Sequence, residues 1–186
     1  MEKIYLAFVD TPGFFASIIR RVIGIDYVHV VLSMDKMLTE AYSVGRRNPA
    51  IPLLAGFEKE ELEKIERKFP TAKYKIVSIT CTKEQKEQLE NDLKECFENR
   101  YKYHYCVLGL VFLLFHIPFY QKNHYTCSSF TAKILNDNGM EFFEKHFSLV
   151  TPRDFYELEN TTLEYEGTLR QFMGKGQCRG SFARVA

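Results

Sequence analysis

The period of the apolar positions changes several times along this chain, and each change predicts an element. Residues 3–9, KIYLAFV, alternate and are rich in aromatic and branched side chains, which is the pattern of a strand. In TPGFFASIIRRVIG (11–24), Phe15, Ile18, Ile19 and Val22 fall at helical spacing, with Thr11 as cap, Pro12 in the first turn and Gly24 as stop. DYVHVVLSM (26–34) and MLTEAYSV (37–44) read as the two strands of a hairpin turning at Asp35-Lys36. Residues 45–57 hold Arg46, Arg47, Pro49, Pro52 and Gly56 and predict a loop. A short charged helix follows over 58–69 with Leu62 and Ile65 on one side, and AKYKIVSIT (72–80) is a strand.

Thr82 and Gln85 form a capping box for a helix whose buried stripe is Leu89, Leu93, Cys96 and Phe97. Residues 105–120, YCVLGLVFLLFHIPFY, are shorter than the ~20 residues of a spanning helix and predict a buried core helix, with an acyl-binding or membrane-touching surface as the sharper alternative. NHYTCSSFTAKIL (123–135) is an amphipathic helix beginning near Thr126, with Asn138-Gly139 as its stop. Thr151-Pro152 opens another short helix, and the last residues have no periodicity. Strands come first and helices later, so the class is α+β, with one domain over 1–170 and a flexible tail over 171–186.

Composition narrows the function without naming it. The chain of 186 residues is 46% hydrophobic and 26% charged, as in a globular protein, and its 16 Phe and 11 Tyr supply a core without Trp. A formal charge of +1 gives no push toward nucleic acid. The opening MEKIYLAFVD does not read as a secretory leader. Five cysteines without regular spacing predict neither a disulfide framework nor a zinc site. A cytoplasmic location with reduced thiols is the expectation.

The candidate chemistry starts at Cys127. In the first turn of a helix, unpaired backbone N–H groups and the dipole favour a thiolate and lower its pKa. The plain alternative is a small buried side chain under a helix. His29 lies mid-strand and shares a face with Tyr27, Val31 and Ser33, opposite the apolar Val28, Val30 and Leu32. The predicted hairpin sets residues 29–31 across from roughly 40–42, where Glu40 would fix the imidazole tautomer; an exposed glutamate paired with Arg46 or Arg47 is the other reading. Ser128 and Ser129 lack the context of a serine nucleophile.

The order of strand histidine, acidic residue on the next strand and cysteine opening a helix resembles the circularly permuted branch of the NlpC/P60 superfamily. These are the papain-like hydrolases called YiiX-like, related to the lecithin:retinol acyltransferases. YLAFVDTPGFFASIIRRVIGIDYVHVVLSMD, EAYSVGRR, YKYHY, YTCSSFTAKIL and TPRDF carry the resemblance, over residues 3 to about 158. It implies an antiparallel sheet packed against helices, with the cysteine following the histidine because of the permutation. It also implies Cys127 as nucleophile, His29 as general base and Glu40 as third polar residue. Tyr125, Tyr5 and His124 are candidates for substrate or oxyanion contacts.

The implied activity is a cysteine-dependent hydrolase or acyltransferase acting on an amide or ester carbonyl through a thioester, with no metal or organic cofactor. Small-molecule, peptide or lipid acyl substrates fit, and no nucleic-acid partner or transmembrane span is expected. The alternative is a catalytically inactive papain-like scaffold that serves as a binding or regulatory module. A redox-sensing thiol is a third reading, but no second cysteine stands near Cys127 in sequence.

Overall fold

The computed structural model describes residues 1–12, 20–21, 24–46 and 55–174. Its centre is a six-stranded sheet of order β4-β3-β2-β1-β5-β8, antiparallel at every pairing. The strands are β1 (Glu2–Asp10), β2 (His29–Ser33), β3 (Ala41–Arg46), β4 (Ala55–Lys59), β5 (Lys73–Cys81) and β8 (Thr162–Thr168). The α helices are α1 (Leu62–Lys68), α2 (Lys83–Glu98), α3 (Val107–Leu114), α4 (Cys127–Asp137) and α5 (Pro152–Tyr156). The class is α+β. Two short strands, β6 (His104–Tyr105) and β7 (His124–Tyr125), form a separate parallel pair.

Alternation along the strands sorts their side chains between two cores. Ile4, Leu6, Phe8, Val30, Leu32, Tyr42, Val44 and Phe57 face Leu89 and Leu93 of α2, Phe130 and Leu135 of α4, and Phe155 of α5. Ala7, Val9, Val31, Ala41, Tyr74 and Ile76 face the other way, against Leu62 and Ile65 of α1, Leu169 and Phe172. Val31 of β2 therefore belongs to a second core, with Leu62 and Ile65 of α1, Leu169 and Phe172, whereas the His29 ring reaches Cys127 of the first.

The predicted capping box is present at Thr82–Gln85, the helix predicted to open at Thr151-Pro152 starts there with a capping box of its own, and Gly139 closes the cysteine helix at φ +69°. Four expectations change. The loop over 45–57 contains the end of β3 and most of β4, paired with each other as a hairpin, while 47–54 lie outside the described residues. The charged helix starts at Leu62, since residues through Lys59 are strand. Residues 162–168, unassigned from sequence, form the edge strand β8. Most of the helix predicted over 11–24 and residues 175–186 of the predicted tail also lie outside the described residues.

The fourth change concerns the apolar stretch over 105–120. α3 has no buried residue, and Val107, Leu108, Val111, Leu114, Phe115, Ile117 and Tyr120 are all exposed. A run that is apolar on every side carries no periodicity, so the pattern alone does not say what covers it. No helix among the described residues is long and apolar enough to cross a membrane.

Candidate active site

Cys127 is the first residue of α4, and the residues around it fix that helix start firmly. Thr126 is the N-cap: its side chain accepts from the Ser129 amide at 3.1 Å, and its own amide donates to Ser129 Oγ at 2.8 Å. Ser128 Oγ donates to the Val150 carbonyl at 2.6 Å, which ties the first turn to the segment leading into α5. Phe130, Ile134 and Leu135 then bury the helix on the sheet. The thiol is thus held by a packed, capped helix against β2 and is itself only 5% exposed.

His29 opens β2, where Val9 of β1 is its partner. The ladder between β2 and β3 joins only Leu32 to Tyr42 and Ser33 to Ala41. Beyond it, the Val30 amide and the Ser128 amide at the helix start both act on the Cys127 sulfur. The thiol therefore stands beside a backbone amide of β2 and beside the His29 imidazole.

Behind the imidazole lies a relay whose proton positions follow from chemistry. Ser43 Oγ donates to Glu60 Oε1, because a carboxylate can only accept. The hydroxyl has no second proton, so at 3.0 Å from His29 Nε2 it must accept from that nitrogen. Nε2 therefore carries the hydrogen, and Nδ1 is left to exchange a proton with the thiol. Glu60 Oε1 is also 3.6 Å from Nε2 and adds its charge directly. Gly45 gives the ring room: a β-carbon there would stand 3.2 Å from His29 Cε1 and 3.3 Å from Ser43 Oγ.

The electrostatics match this geometry. Burial opposes a charged imidazole, but the neighbouring Cys127 thiolate and then Glu60 outweigh it and raise the His29 pKa to about 10. Burial likewise opposes the thiolate, yet His29 and the Val30 and Ser128 amides hold the Cys127 pKa below its ordinary value. Glu60 is also held low despite burial, first by His29 and then by Ser43. By contrast, burial pushes the thiols of Cys81, Cys96 and Cys106 up. Among the described cysteines, Cys127 alone is biased toward the thiolate.

Of the residues predicted from sequence, Cys127 and His29 come together and Glu40 stands apart. The Asp35 carboxylate accepts from the amides of Met37 (2.8 Å), Thr39 (3.2 Å) and Glu40 (2.7 Å), and Leu38 turns at φ +60°. This widens the hairpin loop and pairs the Met34 amide with the Glu40 carbonyl, at the far end of β2 from His29. The Glu40 carboxylate instead meets Lys59 Nζ and the Tyr42 hydroxyl, each at 2.6 Å, and both hold its pKa down.

The three candidates for substrate or oxyanion contacts have partners of their own. Tyr5 packs against the core on the far side of the sheet from Cys127. Tyr125 is buried among Tyr103, Phe130 and Phe147, with its hydroxyl 3.2 Å from that of Tyr120. His124 donates from Nδ1 to the Lys122 carbonyl at 2.9 Å and lies against the His104 ring.

Sequence reasoning missed Glu60, Ser43 and Gly45. Glu60 was absorbed into a run of charged residues read as helix, although its amide bonds the Ala41 carbonyl at 2.8 Å and continues the β3–β4 ladder. The available signal was Phe57, an apolar residue between small and acidic neighbours, which marks an alternating strand rather than a helix start. No family profile, curated protein or solved structure matches the chain.

Proposed function

We propose that this protein is a cysteine-dependent hydrolase or acyltransferase built on a circularly permuted papain-like framework, with Cys127, His29, Ser43 and Glu60 as its working residues. The observation that carries the reading is the Cys127–His29 pair at the start of α4, with the histidine tautomer set from behind by Ser43 and Glu60. A structural cysteine needs no such pairing. Burial alone would leave its thiol protonated, as it does at Cys81 and Cys106.

In the proposed reaction the Cys127 thiolate attacks the carbonyl carbon of an ester or amide, and the carbonyl electron pair moves to oxygen. The Cys127 amide and the dipole of the helix N-terminus favour that oxyanion. Collapse of the tetrahedral intermediate breaks the bond to the leaving group, which takes its proton from His29, and a thioester remains on Cys127. Water, or an acceptor hydroxyl or amine, then gives its proton to His29 and attacks the thioester, which restores the thiolate. Ser43 and Glu60 act through His29 and are positioning residues.

The test is intact-mass and peptide mass spectrometry after exposure to p-nitrophenyl acyl esters and to acyl-amide probes. The expected result is an acyl adduct on Cys127 that is absent in Cys127→Ala and strongly slowed in His29→Ala. A thiol that forms no adduct, and labels with iodoacetamide only at ordinary thiol pH, would leave the fold as a binding module.

A further inference from the structure

The exposed apolar segment around α3 has a second property besides its exposure. From Asn99 to Asn136 the chain contains no acidic residue; of the four cations within it Arg100 faces Glu58 and Lys133 pairs with Asp137, so Lys102 and Lys122 carry the segment's charge, beside three histidines. The β6–β7 pair closes the segment at its base: the His104 amide donates to the Asn123 carbonyl at 2.8 Å and the Cys106 amide to the Tyr125 carbonyl at 2.9 Å. Residues 106–123 therefore form one excursion with a fixed root. Phe112 stacked on Phe119 at 4.6 Å stiffens it, and the Phe119 amide donating to Ser148 Oγ at 3.2 Å holds it. Its outer positions are Leu108, Val111, Leu114, Phe115 and Ile117, and its root bears the exposed Lys102, His104 and Lys122.

We infer that this excursion docks the protein on an anionic lipid surface, with the apolar tip in the acyl boundary and the basic root at the headgroups. An apolar face with a cationic margin is what an interfacial helix needs, and the segment is too short to span. Charge selects this occupant over a second copy of the chain. Packing two such tips together would bring two basic roots, with no acidic residue between them, toward each other, whereas phosphatidylserine supplies the complementary charge. The net charge of the whole chain is only +1, so the attraction is local to this segment.

The inference does not rest on the thiol chemistry, and its test is kept separate. The protein is floated with vesicles of phosphatidylcholine alone and with vesicles that also contain phosphatidylserine. It floats with the anionic vesicles and at least about tenfold less with the neutral ones, and raising the salt weakens the difference. Leu108→Glu with Phe115→Glu abolishes flotation, Lys102→Glu with Lys122→Glu removes the anionic preference, and Cys127→Ala floats like the parent. Because the replaced side chains are exposed, circular dichroism and Tm stay at parent values.

The chain has no tryptophan, so Phe115→Trp supplies a single reporter whose emission shifts to the blue with the anionic vesicles and is quenched by brominated lipid. Absence of both flotation and shift overturns the proposal, as does equal flotation with the two vesicle types. A lipid-free dimer in sedimentation velocity that Leu108→Glu dissociates overturns it in favour of self-association.

Discussion

Ser43 stands between His29 and Glu60 as a hydroxyl whose only proton is committed to the carboxylate, and this commitment sets the histidine tautomer. Ser43→Ala and Glu60→Gln should both slow iodoacetamide labelling of Cys127 at neutral pH. One pKa unit of lost thiolate stabilisation corresponds to about 1.4 kcal/mol, or about tenfold in rate below the new pKa. Glu40→Gln should leave labelling at the parent rate, because that carboxylate serves Lys59 and Tyr42. Slowing by Glu40→Gln with Glu60→Gln silent would return the third position to Glu40.

The paired thiol and imidazole should also shape stability against pH. Unfolded, the imidazole titrates near 6.5 and the thiol near 9.0; folded, the histidine is raised to about 10 and the cysteine is lowered. The histidine contribution is complete below pH 6.5 and is lost as pH rises through about 10. The cysteine contribution is complete above pH 9.0 and is lost as pH falls through its folded value. Where both groups titrate the two slopes cancel, so the sum stays level to about 9.0 and then falls toward 10 as the histidine alone loses its proton. Urea midpoints across this range should show that plateau in the parent, and Cys127→Ala with His29→Ala should lose the alkaline fall.

Gly45 should prove to be a spacing residue. Its φ is not positive, so alanine meets no backbone strain there, only the His29 ring at 3.2 Å and Ser43 Oγ at 3.3 Å. Relieving that approach requires the imidazole or the hydroxyl to move by a few tenths of an ångström, which is enough to misalign a hydrogen bond. Gly45→Ala is expected to lower Cys127 labelling several-fold while Tm changes little. An unchanged labelling rate would mean that the ring tolerates displacement.

The parts of this site that sequence reveals are those with a local signature. Cys127 is visible because Thr126, Ser129 and the apolar stripe at 130, 134 and 135 define a helix start without reference to any other element. His29 is visible as a polar residue in an apolar strand. Glu60 is not, because its partner is chosen by the β2–β3 register, and a single loop decides that register. Asp35 gathers three backbone amides and lengthens the turn, so Glu40 moves to the wrong end of the strand and the next hairpin supplies the carboxylate. The exposure of α3 is hidden for a different reason. Leucine and valine report a preference for leaving water, not the identity of what receives them.

The cap of α4 links stability to chemistry, and its removal should affect both. Thr126 Oγ1 is the acceptor for the Ser129 amide, and both residues are buried, so Thr126→Ala leaves a buried donor without its partner. Loss of such a cap costs about 1–2 kcal/mol, or roughly 2–8 °C in Tm for a domain of this size. The same change loosens the turn that aims the Ser128 amide at the Cys127 sulfur, so the thiol pKa should rise and labelling at neutral pH should slow. Thr126→Ser keeps the hydroxyl and should restore labelling nearly in full, while regaining only part of the packing lost with the methyl group. If alanine lowers Tm without changing the labelling profile, the helix start supports the fold alone, and thiolate stabilisation then comes from His29 and the Val30 amide.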